Sequence, residues 1–297
     1  MKLAPIVLFT YKRLDTLHQT VRALATNHLA EESDLVIYSD GAKTTDDQIF
    51  VEAVRTYLKT ITGFKSVRIH ESNTNKGLAT SIINGVSEVM AEYHKAIVLE
   101  DDLITSTNFL EYMNQGLEYY QDKPQILSIS GYSPIIKGLN PNDIYYTQRA
   151  SSWGWACWED RWNKIDWQAT SYELFVNDSE AKSRFNKMGS DMCLMMKRQM
   201  QGTINSWAIR FCFHQFENNL FSVHPSLSKV QNIGFAEKNA TNTVQKYNRF
   251  QSEFDLTNNL EFNFDSEVKL NQELVRQFIR DNSIKMRILN KLLNFIQ

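Results

Sequence analysis

Cysteine is scarce in this chain: Cys157, Cys193 and Cys212 are the only three, odd in number and without CxxC spacing. That excludes a disulfide framework or a zinc ribbon and leaves reduced core thiols. Glycine-rich phosphate loops are missing too. No GxGxxG and no Walker lysine loop is present, so neither a Rossmann dehydrogenase nor a P-loop enzyme fits. Charge of one sign is lacking: Lys and Arg number 32 against 34 Asp and Glu, a net charge of -2. A nucleic-acid binder would carry a basic excess, so no nucleic-acid partner is expected. Nor is there a long apolar run. None approaches transmembrane length, and PIVLF at 5–9 is too short for a signal-peptide core, so the expected location is cytoplasmic. Repeats and low-complexity linkers are absent as well. What remains is 297 residues of ordinary globular composition, enough to bury one large core or two fused halves.

Hydrophobic periodicity organises the first third. PIVLF (5–9) runs into TYKR (10–13), and Leu14, Leu17, Val21 and Leu24 follow at helical spacing. LVIYS (35–39) is a second strand, broken by Asp40 and Gly41, with a helix expected over 46–60. VRIH (67–70) is a third, followed by a polar turn at 71–76 and a helix opening at Gly77. AIVL (96–99) is the fourth. Strands alternating with helices imply parallel pairing with right-handed crossovers. The fold class is α/β, a Rossmann-like, mostly parallel sheet flanked by helices, with residues 1–104 as its nucleotide-binding half. From 105 to 270 the pattern is less regular and reads as an acceptor half of the same domain. It holds a helix at 108–120, strands at 126–130, 144–147 and 221–224, helices within 168–200 and a polar loop at 232–242. Residues 271–297 form a helical tail.

Glu100, Asp101 and Asp102 follow the fourth strand directly. Three consecutive carboxylates do not fit a strand interior, so they lie where the chain leaves the sheet, at the edge where open α/β sheets bind ligands. Their repulsion calls for a cation. Hard oxygen ligands with open positions suit Mg²⁺ or Mn²⁺ shared with a phosphate-bearing substrate. The competing reading is an acidic turn capping a helix that starts near Thr105. Thr10, Arg13, Asp40 and Lys76 fall at or after strand ends and would reach the same edge. Arg13 and Lys76 could meet a pyrophosphate, and Asp40 a base N–H or a ribose hydroxyl. Taken singly, each is equally a turn or helix-start residue.

Aromatics are concentrated, with five of the six tryptophans between Trp153 and Trp167. In SSWGWACWEDRW (151–162), Trp153 and Trp155 could stack on sugar C–H faces, with Glu159 or Asp160 as a nearby carboxylate. The plain alternative is an aromatic core. Gly154 between two tryptophans suggests close backbone approach. INSWAIR (204–210) brings Asn205 and Trp207 to a helix start capped by Asn205 or Ser206. His214 and His224 have no carboxylate partner in sequence and read as structural or surface residues.

Together these segments resemble the GT-A glycosyltransferases, in particular bacterial polysaccharide enzymes related to eukaryotic N-acetylglucosaminyltransferase I. The likeness runs through 5–13, 38–41, 75–78, 98–102, 130–132, 151–162, 205–210 and 228–235. It implies that Asp102 binds the metal holding a nucleotide-sugar diphosphate, that Asp101 lies beside the sugar or ribose, with Glu100 also on the donor side, and that Arg13 and Asp40 hold the nucleotide. Two departures matter. Asn205 stands where related sequences often have the acid resembling the catalytic base, and an amide cannot take a proton at neutral pH. Asp160, in a WGWxxxED context similar to that of galactosyltransferases, is then the expected base and Glu159 the second choice. Thr241 and Asn242 stand where relatives often show Thr-His, which weakens any second protein ligand for the metal. The expectation is a metal-dependent, inverting glycosyltransferase using a UDP-sugar and a lipid-linked glycan acceptor of capsule, O-antigen or a similar polymer. A sugar nucleotidyltransferase and an inactive carbohydrate-binding homologue are the rivals.

In the tail, Ile284, Ile288, Leu292 and Phe295 share one helical face, with Leu289, Leu293 and Ile296 beside it and Lys285, Arg287 and Lys291 off its centre. Such a helix could lie on the inner face of an anionic membrane, or pack on the chain's own core or on a second subunit of a homodimer.

Overall fold

The computed structural model describes residues 2–236 and 248–295, so the Thr241–Asn242 departure lies outside the described residues. Strands β1 (Ile6–Thr10), β2 (Asp34–Ser39), β3 (Ser66–Glu71) and β4 (Lys95–Glu100) alternate with helices α1 (Leu14–Ala25), α2 (Gln48–Leu58) and α3 (Leu78–Tyr93). All four strands form within a residue or two of the positions the apolar runs indicate. After β4 come β5 (Leu103–Thr105), α4 (Phe109–Tyr119), β6 (Ile126–Ser130), β7 (Ile144–Thr147), β8 (Trp155–Trp158) and the short α5 (Glu159–Trp162). Helices α6 (Tyr172–Asn177), α7 (Ser179–Asn186), α8 (Met192–Met200) and α9 (Trp207–Glu217) lead to β9 (Phe221–Pro225) and β10 (Val230–Asn232).

Eight strands form one sheet in the order β3-β2-β1-β4-β8-β6-β9-β7. The first four are mutually parallel, β6 and β9 run the same way, and β7 and β8 oppose them. β1 is buried along its whole length, as expected of a parallel strand covered on both faces. One apolar cluster packs Leu17, Leu24 and Tyr112 on one face. Another packs Ile82, Val86 and Phe211 on the other. Outside the main sheet, β5 pairs antiparallel with β10, joining Leu103 to Asn232. Cys157, Cys193 and Cys212 are unpaired, the first and last of them buried.

Two elements depart from expectation. WACW, read as part of an aromatic site, is β8, a fully buried strand paired between β4 and β6. The tail is two helices, α10 (Gln272–Ile279) and α11 (Ile284–Phe295), separated by a tight turn at Arg280–Asn282.

His224 on β9 is structural. Its ring is fully buried, 4.6 Å from the Phe278 ring and 5.4 Å from Tyr145. Nδ1 lies 2.9 Å from the Tyr132 carbonyl and Nε2 3.0 Å from the Thr147 hydroxyl. Burial pushes its pKa down to about 4, so the unfolded chain binds the extra proton first as pH falls. Stability should therefore drop by about 3 kcal/mol between pH 6.5 and 4 on this account alone. Urea midpoints measured across that range should show the loss, and His224→Gln should flatten it. An unchanged slope in the variant would assign acid sensitivity elsewhere.

Candidate active site

β1 is flanked by β2 on one side and β4 on the other. The chain therefore leaves adjacent strand ends in opposite directions between β1 and β4, the position where open α/β sheets form a ligand crevice. Thr10 ends β1 and Glu100 ends β4, so TYKR and the three acids meet there. Arg13 Nη1 donates to Asp102 Oδ2 at 2.9 Å and Nη2 to Asp101 Oδ1 at 2.5 Å. Asp101 also accepts from the Thr10 hydroxyl at 2.9 Å and the Tyr11 N–H at 3.2 Å. They do not cap the helix that follows them: 103–105 is β5, and the next helix starts at Phe109.

One guanidinium answers three carboxylates. Burial works against the Arg13 charge, but Asp101 and Asp102 outweigh it and raise its pKa. Burial, then the charges of Asp102 and Asp101, lifts Glu100 above the ordinary carboxylate range despite Arg13. Burial likewise raises Asp102, with Arg13 pulling the other way. Among the described residues, no side chain hydrogen-bonds Glu100, and Asp102 Oδ1 meets no other side chain. This leaves acceptor oxygens in a region deficient in positive charge, which fits a divalent cation held by one or two carboxylates and completed by substrate phosphates. No group of three or more His, Cys, Asp or Glu side chains placed to hold a metal ion is found among the described residues.

Gly234 is part of this site, although nothing in the sequence marked it beyond membership of the 228–235 segment. Ile233 N–H donates to the Asp102 carbonyl at 2.9 Å, carrying the chain after β10 across the acids. A Cβ at Gly234 would lie 2.2 Å from Asp102 Oδ2 and 2.9 Å from Arg13 Nη1.

Asp40 closes the neighbouring loop. Its carboxylate accepts the backbone N–H groups of Gly41 at 2.9 Å, Lys76 at 2.8 Å and Gly77 at 2.9 Å, tying the end of β2 to the start of α3. Arg55 of α2, also missed in the sequence, donates to the Ser72 carbonyl at 2.6 Å and pairs with Glu71 at 3.5 Å. Beside this loop lies a cavity of about 340 Å³ lined by Tyr38, Asp40, His70, Glu71, Lys76 and Glu88. The Lys76 side chain is exposed at its rim. Thr10, Arg13, Asp40 and Lys76 thus gather with the acids at one edge, with Asp40 chiefly organising the backbone there.

The aromatic segment divides. Trp153 lies 4.6 Å from Tyr132 and 5.7 Å from both Phe235 and Phe250, and Phe235 adjoins Gly234. Trp153 therefore belongs to an aromatic wall next to the acids. Trp155 and Trp207 do not: they stack on each other at 4.9 Å, buried under the sheet, and cannot meet an acceptor. Gly154, with φ +56°, marks a close approach, since a Cβ there would sit 2.8 Å from Val230.

Glu159 and Asp160 require a correction. β8 runs against β4 and pairs Trp158 with Lys95, so both acids lie at the amino end of β4, roughly 16 Å of strand from Glu100. There Glu159 contacts His94 at 2.6 Å, and both acids line a separate cavity of about 510 Å³ with Lys2 and Glu118. A base must reach its proton within hydrogen-bond distance, and neither can serve a substrate held at Asp102. Asp160→Asn and Glu159→Gln should leave turnover essentially unchanged, not cut it roughly 10²–10⁴-fold as loss of a base would. A loss of that size with donor affinity intact would restore the assignment.

Asn205 stands two residues before Trp207, whose ring stacks on Trp155, the residue paired with Val98 towards the carboxyl end of β4. Ser206 is the cap, accepting from the Ile209 N–H at 3.3 Å, and exposed Asn205 accepts from Arg210 Nη2 at 3.1 Å.

No protein-family model and no curated protein sequence matches this chain. Among solved structures it is similar to the mannosyltransferase PcManGT from Pyrobaculum calidifontis in complex with GDP-Man and Mn²⁺, at 11% identity and a TM-score of 0.38 over 53% of this chain and 44% of that one. It is also similar to S. aureus TarS, at 14% identity and a TM-score of 0.32 over 48% and 24% of the two chains. TarS 1–349 in complex with UDP-GlcNAc gives 13% identity and a TM-score of 0.34 over 47% and 36%. Each match spans less than half of the other protein, so residue roles rest on the geometry above.

Proposed function

We propose that this chain is a metal-dependent glycosyltransferase moving a hexosyl or N-acetylhexosaminyl group from a nucleotide-diphosphate sugar, with UDP the expected nucleotide, to a glycan acceptor with inversion. A lipid-linked precursor of a bacterial surface polysaccharide is the expected acceptor. The observation that carries the reading is the trio Glu100, Asp101 and Asp102 at the crevice beside β1, in which a single arginine binds Asp101 and Asp102 and leaves Glu100 without an ion pair among the described residues. Asp102 would hold Mn²⁺ or Mg²⁺, with Glu100 close enough in sequence to assist. Such an ion supplies Lewis-acid neutralisation of the departing diphosphate. Arg13 fixes the orientation of Asp101 and Asp102, Asp40 holds the loop that presents Lys76, and Trp153 offers an apolar face to the acceptor sugar.

The acceptor proton has no assigned base. Asp191 pairs with Arg149, Asp255 with Lys229 and Asp281 with Arg280, and Asn205 cannot accept a proton. Asn205 favours a second reading, a homologue that binds the donor without transferring it. The rival nucleotidyltransferase reading has no glycine-rich loop after β1 to support it. Equilibrium binding of UDP-sugars with and without Mn²⁺, followed by assay of UDP release, separates the three. Mn²⁺-dependent binding with slow hydrolysis supports the transferase, and binding without any release supports the inactive homologue. Pyrophosphate release from UTP and a sugar phosphate supports the rival. Absence of metal-dependent nucleotide-sugar binding overturns the proposal.

A further inference from the structure

A surface helix ordinarily turns its apolar stripe towards the protein. α11 does the reverse. Asn290 is buried on its inner side, and Arg287 donates to the Ser190 carbonyl at 3.2 Å and hydroxyl at 3.3 Å. Just before the helix, the Asn282 carbonyl accepts from the Ser190 hydroxyl at 2.7 Å. On the outer side, Ile284, Ile288 and Leu292 follow one another at single-turn spacing and are 64%, 54% and 52% exposed, with Leu289 at 39%. Lys285 and Lys291 are exposed on the two borders of that stripe, and residues 282–297 include no acid. Among the described residues, this stripe is not packed on the chain's own core, one of the readings open from sequence.

We propose that this face of α11 docks on an anionic lipid surface. Isoleucine and leucine would enter the acyl boundary while the two lysines stay at the level of the phosphates, the arrangement that interfacial helices use. A second copy of the chain is a poorer occupant: pairing the stripe with itself would bring four lysines together with no acid on the helix to answer them. The helix is also placed to deliver a lipid-borne substrate. Ser190 adjoins Asp191, which holds Arg149 through bonds of 2.7 Å and 3.0 Å. Arg149 leads within four residues to Trp153 in the aromatic wall. Docking would thus set that wall near the headgroups, whatever reaction the crevice performs.

The test is sedimentation of the full chain with vesicles of phosphatidylcholine alone and of phosphatidylcholine mixed with phosphatidylglycerol, at low and high salt. Binding is expected to the mixed vesicles at low salt. Ile288→Ser with Leu292→Ser should weaken it at least roughly tenfold, and thermal melts should be unchanged because both side chains are already exposed. Lys285→Gln with Lys291→Gln should remove the preference for phosphatidylglycerol. If the full chain ignores the vesicles, or the serine variant binds them as before, the proposal is overturned. It is overturned equally by a dimer in solution that the serine variant dissociates while vesicle binding is absent.

Discussion

Asp102→Asn should cost turnover at least roughly 10³-fold, the scale of the several kcal/mol that a bound cation contributes to a developing charge. The substitution is nearly isosteric, and the amide oxygen can still accept from Arg13, so the fold and the Arg13 contact should survive. Raising Mn²⁺ should not rescue it. Gly234→Ala makes a useful companion, because its Cβ would fall 2.2 Å from Asp102 Oδ2 and displace the carboxylate without removing it. That variant should need more Mn²⁺ for half-maximal rate and recover partly at saturation. Titrating rate against metal for both distinguishes a lost ligand from a misplaced one. Retained activity with unchanged metal dependence in Asp102→Asn would remove Asp102 from the mechanism.

The acids and Arg13 were legible because both sit next to strands with strong apolar runs, and parallel order then brings their ends to one edge. The same logic failed at Trp155 and Asp160. WACW carries no alternation and no turn signal, so its burial as a strand is invisible to periodicity, and its direction is set only by pairing with β4 and β6. Once β8 runs antiparallel, the residues directly after it fall at the far edge, taking Glu159 and Asp160 away from the crevice. Gly234 was hidden for a different reason. Its role depends on β10 pairing with β5, a contact across more than a hundred residues. In α11 the sequence shows the apolar stripe clearly, but which side faces the protein is decided by Ser190 and the buried Asp281 and Asn282 ahead of the helix.

The largest effect on stability should come from Lys229 and Asp255, a pair that no local pattern announces. Both side chains are 1% exposed, and Lys229 Nζ bonds directly to the Asp255 carboxylate. Lys229 lies 4.8 Å from the Phe262 ring and 5.7 Å from that of Tyr112, so its charge has little water to fall back on. Asp255 is better provided: Asn108 Nδ2 donates to it at 2.9 Å, the Thr257 N–H at 2.8 Å and the Thr257 hydroxyl at 2.7 Å. Removing the acid should therefore hurt more than removing the base. Asp255→Leu is expected to cost about 3–5 kcal/mol, the penalty for an uncompensated buried charge, and Lys229→Met less. The double variant should recover part of the loss, which urea unfolding can read as a coupling energy. The effect should also reach the crevice. Ser228 N–H donates to the Glu253 carbonyl at 2.8 Å and Asp255 N–H to the Ser228 carbonyl at 2.9 Å, two residues ahead of β10. Loosening that clamp frees the strand that presses Gly234 onto Asp102, so donor binding should weaken in Asp255→Leu even at temperatures where it stays folded. If the double variant is no more stable than Asp255→Leu alone, the two charges are not coupled and the clamp must be sought in the Asn108 and Thr257 bonds instead.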